Sequence, residues 1–189
     1  MRVQWAVPVI ASILILGTLG LSQDAFAAID MFLKIDGIDG ESTDNRHDGD
    51  TDVLGWNWGL SQSANPPARG GGEASKVSFQ DMSITKFVDS ATSEFMLFCC
   101  KAENIGDVTL EICRTIDEAG DRLCYFKIEM ERVFITSMSL GGSSGDDILT
   151  ETITLNFEKI EFTYTPHDPD TGVQTGPPIG WSIDESKGA

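Results

Sequence analysis

IDMFLKIDGIDGESTDNRHDGDTDVLGWNWGLSQS, residues 29–63, is the stretch of sequence that decides the fold. It opens with a largely apolar run, passes through an acidic loop ending in RHDGD, and closes on an alternating segment. In that segment every second residue is large and apolar, namely Leu54, Trp56, Trp58 and Leu60. Apolar residues with a period of two indicate a β-strand with one buried face. We therefore expect these four side chains to face the core together.

Strand periodicity dominates the rest of the chain, and its parity changes twice. Apolar residues switch from odd to even positions between Phe79 and Met82, and again between Phe157 and Ile160. Such a change indicates a bulge or a sharp coil, which lets one strand serve two sheets or bend around a barrel. The pattern predicts a mainly β fold, specifically a closed β-barrel of two packed antiparallel sheets.

One α-helix is expected alongside the strands, at about residues 90–102. Asp89 or Ser90 can cap its first turn by accepting hydrogen bonds from free backbone N–H groups. Gly106 is available for a left-handed residue at its end. We assign its narrow apolar stripe to core packing rather than to a cofactor site. The stripe consists of Ala91, Phe95, Phe98, Cys99 and Ala102.

Several motifs, taken in order, resemble the Hcp family, the tube-forming proteins of type VI secretion. They are the opening stretch, KVSFQDMSITKFVD (76–89), the predicted helix, VFITSMSLGGSSGDDILTETITLNFEKIEFTY (133–164) and IGWSID (179–184). The resemblance covers nearly everything from Ile29 to Asp184. It implies a structural protein that forms hexameric rings, stacks them into a tube, carries effectors and is itself exported. A spike protein at the tip and a contractile sheath are the other implied partners.

The resemblance also bears on two loops. Ser61–Ser75, rich in Gly and Pro, corresponds to a loop that projects from the ring and touches the neighbouring ring; a floppy hairpin tip is the alternative. Pro166–Pro178 is a second predicted loop. His47 corresponds to a histidine that accompanies the Gly40-Glu41-Ser42 turn as part of the scaffold.

A competing function, from a different class, is an exported binding or surface module that lacks the injection machinery.

The first 27 residues depart from that family. Arg2 begins a short basic start, an apolar run extends from Trp5 to Leu21, and Ala25-Phe26-Ala27 supplies small residues for cleavage. This three-part pattern predicts a secretory signal peptide at 1–27, cleaved after Ala27, followed by a single domain at 28–189. The protein would then be secreted or periplasmic. An uncleaved anchor and a misassigned start codon, with cytoplasmic assembly, remain alternatives.

The net charge excludes several kinds of partner. A formal charge of −17 is spread along the chain, and lysine and arginine are scattered. Binding to phosphate groups needs a basic patch, so we expect no nucleic-acid partner. The same sign disfavours an anionic membrane surface once the leader is removed.

The four cysteines are expected to be free thiols. Cys99 and Cys100 are adjacent on the predicted helix, so their side chains diverge. Cys113 and Cys124 flank a turn at 117–120 and suggest a cross-hairpin bridge. However, matching the apolar faces of their strands places Cys124 inside and Cys113 on the opposite side. Cysteine usage therefore does not indicate an oxidising compartment.

No catalytic, cofactor-binding or metal-ligating residue is predicted, and we expect no enzyme and no cofactor. Residues 141–145, GGSSG, match the G-x-S-x-G hydrolase pattern but lie between two predicted strands, where a hairpin loop explains them better. The acidic stretch Asp44–Asp52 fails the EF-hand spacing, which leaves only weak calcium binding open. His47 and His167 lie in polar loops without partners at metal-ligand spacing, so we expect them to be solvated or locally hydrogen-bonded.

Overall fold

The protein is described by a computed structural model at residues 29–62, 77–116, 122–145, 147–168, 172–173, 176–183 and 187–188. The predicted leader, most of the Ser61–Ser75 loop and the turn at 117–120 lie outside these residues. The elements in chain order are β1 (Ile29–Ile35), β2 (Thr51–Asn57), β3 (Leu60–Ser61), β4 (Ser78–Phe79), β5 (Met82–Phe87), α1 (Thr92–Lys101), β6 (Val108–Thr115), β7 (Arg122–Glu131), β8 (Phe134–Gly141), β9 (Thr150–Asn156), β10 (Lys159–Tyr164), β11 (His167–Asp168), β12 (Gly172–Val173), β13 (Ile179–Ser182) and β14 (Lys187–Gly188).

The architecture is mainly β with one helix, as predicted. Ten strands are hydrogen-bonded in the order β14-β13-β10-β7-β6-β1-β2-β5-β9-β8, and every pairing is antiparallel. They form two antiparallel sheets that join where β1 meets β2. Two short hairpins, β3-β4 and β11-β12, stand apart from this order.

Both sheets contribute to one hydrophobic core. Alternate residues of β1, β6 and β7 point into it from one sheet, and alternate residues of β5 and β9 from the other. Side chains along a strand alternate in direction, so each strand presents a single apolar face. The most deeply buried apolar residues include Leu33, Leu110, Ile128, Ile84, Ile153 and Leu155.

The prediction for the alternating segment was wrong for two of its four residues. Val53 is in the core, whereas Leu54 is 44% exposed and Leu60 is 56% exposed. For Leu54 the cause is a bulge, because Val53 pairs with Lys86 and Gly55 with Thr85, which leaves Leu54 as an extra residue. Leu60 lies in the separate β3-β4 hairpin. Because of the one extra residue, the alternation of side chains between the two sides of the sheet is out of phase before and after the bulge. Trp56 and Trp58 do pack against the core, but both are only partly buried.

The two parity changes mark places where the chain changes strand partner. Between Phe79 and Met82 the chain leaves β4, which pairs with β3, and enters β5, which pairs with β2 and β9. Between Phe157 and Ile160 it leaves β9 for β10, which pairs with β7 and β13 in the other sheet. Both changes therefore occur at breaks between strands rather than at bulges within one.

The helix begins and ends differently from the prediction. The N-cap residue is Ala91, and neither Asp89 nor Ser90 caps the first turn with its side chain. Asp89 accepts a hydrogen bond from the Ala91 N–H at 3.0 Å, and the Ser90 hydroxyl donates to the Asp39 carbonyl. The helix ends at Lys101, and Ala102 rather than Gly106 is its left-handed terminal residue (φ 51°). Of the predicted stripe, Ala91 and Phe95 are fully buried, whereas Ala102 is exposed.

Candidate functional site

A tight loop between β1 and β2 covers the face of the sheet opposite to the core. The Gly40 N–H donates to the Gly49 carbonyl at 2.7 Å, and the Ser42 N–H donates to the Asp50 carbonyl at 2.9 Å. A Cβ atom on Gly40 would lie 2.5 Å from the Asp50 carbonyl oxygen, so only glycine fits there. The predicted Gly40-Glu41-Ser42 turn is thus fastened to the segment that carries His47.

His47 is buried against the sheet rather than solvated. Only 7% of it is exposed, and its ring stacks on Phe32 with a centroid separation of 4.0 Å. Its Nδ1 atom lies 2.9 Å from Asp50 Oδ2, so the local hydrogen bond that we expected is present. A carboxylate only accepts, so Nδ1 donates to Asp50 and Nε2 is the ring nitrogen that faces Glu111 and the cysteine pair.

The prediction of four free thiols was wrong, because Cys113 and Cys124 form a disulfide. The two residues pair directly across β6 and β7. Ile112 pairs with Phe126 and Cys113 with Cys124, so Tyr125 is an extra residue in a bulge. That bulge turns Cys124 to the same side as Cys113, which face-matching without a bulge cannot anticipate. Cys99 and Cys100 are free.

His47 and the cysteine pair meet Glu111 in one cluster. Nε2 of His47 lies 3.9 Å from Cys113 Sγ, 3.7 Å from Cys124 Sγ and 3.5 Å from Glu111 Oε2. The four ligand-type atoms all lie within 4.8 Å of one another. A cavity of about 310 Å³ adjoins them and is lined in part by His47, Asp50 and Glu111. No spacing in the sequence predicted this grouping, because its members come from separate elements.

Arg122 holds the acidic loop to the strands. Its guanidinium contacts the Asp44 carboxylate, lies 2.6 Å from Asp30 Oδ2 and sits over the Phe32 ring at 5.2 Å. A hydrogen bond from the Arg46 N–H, together with the charge of Arg122, lowers the pKa of Asp44 below its usual 3.8. Asp44 and Asp50 thus fasten the acidic loop to Arg122 and His47.

A second polar cluster lies inside the core beneath the helix. Lys86 is fully buried, and its Nζ lies 2.8 Å from Glu151 Oε1 and 2.7 Å from Asp89 Oδ1. It also donates to the Phe87 carbonyl at 2.8 Å. The Thr92 hydroxyl donates to Glu151 at 3.1 Å. Each charged group thus has a partner of opposite charge, although the buried Glu151 Oε2 has no hydrogen-bond partner among the described residues. Pairing lowers the cost of burying these charges.

The GGSSG segment is a connection between paired strands, as predicted. It begins at the end of β8, and β8 pairs with β9 from Phe134 and Asn156 to Gly141 and Thr150. A strand-to-helix elbow is therefore not the context of this motif. His167 lies in β11, and its side chain is outside the described part of the chain.

Exposed apolar side chains occur on several elements, and four of them lie on the neighbouring elements α1 and β8. Met96 and Leu97 on α1 are 50% and 52% exposed, and Leu140 on β8 is 51% exposed. Helix α1 packs against β8, which lies at the end of the strand order. We call Met96, Leu97, Phe134 and Leu140 the α1–β8 surface. Contiguous exposed apolar residues are typical of surfaces that other proteins cover, and these four lie on two elements that pack together.

Comparison with known proteins identifies the scaffold. A family profile described as "Type VI secretion system effector, Hcp" matches residues 32–164, which is most of the chain. The chain belongs to the Hcp family. It is 40% identical to the Hcp1 protein of Pseudomonas aeruginosa over 160 residues, covering 82% of this chain and 96% of that protein.

Solved structures agree with the Hcp assignment. A type six secretion system protein has a TM-score of 0.78 at 28% identity, covering 86% of this chain and all of that chain. Hcp1 of Salmonella typhimurium has a TM-score of 0.68 at 29% identity, covering 86% of this chain and 99% of its own. The Hcp chain is thus a type VI secretion tube protein, and it is structural rather than an enzyme.

Among the residues that the structure describes, no helix is long and apolar enough to cross a membrane.

Proposed function

We propose that this Hcp protein forms hexameric rings that stack into a tube, and that the tube carries effector proteins in its lumen and is itself exported. The family match over residues 32–164 is the observation that carries the proposal. The spike at the tip and the contractile sheath would be its other partners. Heterologous contacts close into a ring when the rotation between subunits closes, so one complementary pair of surfaces is sufficient.

A closed barrel within each subunit is part of this proposal. Supporting it, two of the connections that take the chain from one sheet to the other are neighbours, namely those between β7 and β8 and between β9 and β10. These crossings lie side by side, since the Glu158 N–H donates to the Glu131 carbonyl at 3.1 Å. Sheets that are connected at a shared corner and enclose one core resemble a barrel more than two free layers.

We assign the lateral contact between subunits to the α1–β8 surface. Strand β8 pairs with β9 along one side, and among the described residues its other side is bridged only from Phe134 to Asn104. An edge strand beside exposed leucine and methionine offers both backbone hydrogen bonds and apolar area to a second copy.

Leu97→Lys tests this contact, with Leu97→Met as its matched control. Both variants replace the same half-exposed leucine, but lysine adds a charge whereas methionine keeps the position apolar and of similar volume. We expect Leu97→Lys to shift sedimentation from rings to smaller species and Leu97→Met to leave the rings intact. Equal behaviour of the two variants would remove the helix from the contact. A parent protein that stays monomeric at every concentration would contradict the ring itself and favour the exported-module alternative.

The leader is a separate proposal. We infer that residues 1–27 are a signal peptide and that the mature domain, 28–189, begins at Ala28, because the small residues before it suit signal peptidase. N-terminal sequencing of the protein from separate cell compartments tests this. A soluble cytoplasmic form that starts near Ile29 or Met31 would indicate a misassigned start codon.

A further inference from the structure

We propose that Cys113, Cys124, His47 and Glu111 form a zinc site when the disulfide is reduced, so that one cluster alternates between a disulfide and a bound metal ion. These residues bring two thiolates, an imidazole and a carboxylate to one place. Zn²⁺ accepts all three kinds of ligand, whereas magnesium and calcium prefer oxygen alone.

The distances suit tetrahedral coordination. Zinc binds sulfur at about 2.3 Å and nitrogen or oxygen at about 2.0–2.2 Å, which places ligand atoms about 3.3–3.8 Å apart. His47 Nε2 lies 3.5 Å from Glu111 Oε2, 3.7 Å from Cys124 Sγ and 3.9 Å from Cys113 Sγ. The two sulfur atoms must separate, which each cysteine achieves by rotating about its Cα–Cβ bond. The four ligand atoms already lie within 4.8 Å of one another, so the Glu111 carboxylate has only a short distance to move toward the sulfurs.

The surroundings of His47 match those of a metal ligand. Its Nδ1 atom is held by Asp50, an arrangement in which a carboxylate fixes the tautomer and directs Nε2 toward the metal. The His47 ring is 7% exposed and is stacked on the Phe32 ring, so its orientation is already fixed and it needs little reorganisation to bind a metal ion. Glu111 keeps 30% of its side chain exposed beside the cavity, which provides a route for the ion.

The redox step is a thiol–disulfide exchange. A dithiol reductant transfers two electrons and two protons to the Cys113–Cys124 bond and itself becomes a disulfide. The two thiols then release two protons as they bind Zn²⁺. With a neutral imidazole and one carboxylate the loaded site carries a charge of −1, and Lys34 and Arg46 line the adjoining cavity. In the reverse step a disulfide oxidant takes two electrons from the two thiolates and two protons from water and becomes a dithiol, while the Cys113–Cys124 bond re-forms and the ion leaves.

Zinc binding by the intact chain tests the proposal. The chain is reduced with a phosphine, which becomes a phosphine oxide with oxygen from water, then desalted without air and titrated with ZnCl₂ against a chromophoric chelator. The oxidised wild type is the matched control, because it has the same sequence and fold. We expect one ion per reduced chain and none per oxidised chain. Cobalt should give the visible bands of a tetrahedral site and a thiolate charge-transfer band.

Variants locate the site. Cys99→Ser/Cys100→Ser should keep the full stoichiometry, and Cys113→Ser/Cys124→Ser should lose it. Asp50→Asn should weaken binding by about 10- to 100-fold, as carboxylates behind a ligating histidine do elsewhere. Circular dichroism checks that each variant is folded. Equal zinc binding by the reduced and oxidised wild type would overturn the proposal. Loss of binding in Cys99→Ser/Cys100→Ser, with binding kept in the other double variant, would overturn it too.

Discussion

Removing the buried ammonium of Lys86 should destabilise the fold far more than removing a similar group at the surface. Lys86 is fully buried and Glu151 is 1% exposed, and their charged atoms lie 2.8 Å apart. Lys86→Met preserves most of the side-chain volume but leaves the carboxylates of Glu151 and Asp89 together without a cation. Breaking one side of a buried ion pair costs about 3–5 kcal/mol, and we expect a loss in that range.

The control is Lys127→Met. Lys127 Nζ lies 2.8 Å from Glu129 Oε1, the same separation, but the side chains are 35% and 41% exposed. An exposed pair contributes about 0–1 kcal/mol, so this variant should be nearly neutral. The double variant Lys86→Met/Glu151→Gln removes both charges, and it should be less destabilised than the sum of its single variants by about 0.5–3 kcal/mol.

Urea unfolding, monitored by tryptophan fluorescence at one fixed chain concentration, measures these differences. The concentration must be fixed because ring formation would add to the apparent stability of the folded state. A loss for Lys86→Met of less than about 1 kcal/mol, or one equal to that of Lys127→Met, would refute the reasoning, because single surface substitutions produce changes of that size.

Three further outcomes are expected. Asp44→Asn should cost about 1–2 kcal/mol of unfolding free energy at neutral pH. Folding lowers the pKa of Asp44, so the stabilisation that Asp44 provides is complete above its usual pKa of 3.8 and is lost as the pH falls through the pKa of the folded state. Unfolding curves of the variant, measured at a series of pH values, should lack this loss at acid pH. Trp58 is partly buried, and its indole N–H has no hydrogen-bond partner among the described residues. Trp58→Ala should therefore lower the free energy of unfolding in urea by at most about 3 kcal/mol, and Trp58→Phe should lower it clearly less. Shortening the Ser61–Ser75 loop to an Asn-Gly turn should leave the subunits folded and the rings intact, because β3 and β4 on either side already pair as a hairpin. Stacking of the rings should weaken, and particle size at high protein concentration measures it. Unchanged polymerisation would show that the loop has no part in stacking.

Strand periodicity and the family motifs predicted the fold class well. The apolar faces of β5 and β9 were identified correctly, since Met82, Ile84, Ile153 and Leu155 are all buried. The positions where the chain changes strand partner were also visible, because each change inverts the parity of apolar residues. These features depend only on neighbours along the chain, and such local patterns are what a single sequence expresses most directly.

Bulges account for the main structural errors. Leu54 and Tyr125 are the extra residues of two bulges, and each changes the side of the sheet to which the neighbouring side chains point. Neither is a glycine, the residue that would have indicated a bulge in the sequence. The consequences were an exposed Leu54 and a disulfide in place of two thiols. The cue for the bridge was present in the spacing of Cys113 and Cys124 around a turn, but the bulge that aligns them depends on tertiary packing.

The buried charges are indicated by the periodicity of their strands. Lys86 shares the parity of Met82 and Ile84, and Glu151 shares that of Ile153 and Leu155, so periodicity places both on the core face. In the sheet the two residues are direct cross-strand partners. A lysine and a glutamate on core faces of two strands therefore predict that those strands pair, since neither charge could be buried alone.

The ring contact and the metal site depend on different elements and should be separable. Val108, Leu110 and Ile112 of β6 pack into the core that both sheets share, whereas Glu111 and Cys113 point away from it toward the β1–β2 loop. The cysteines come within reach of His47 only through this loop, which lies 66 and 77 residues away in sequence. Because the α1–β8 surface is built from other elements, Cys113→Ser/Cys124→Ser should abolish zinc binding while rings persist. If rings were lost together with zinc, the cluster would be part of the assembly, and the metal would then act on the subunit contact rather than within one chain.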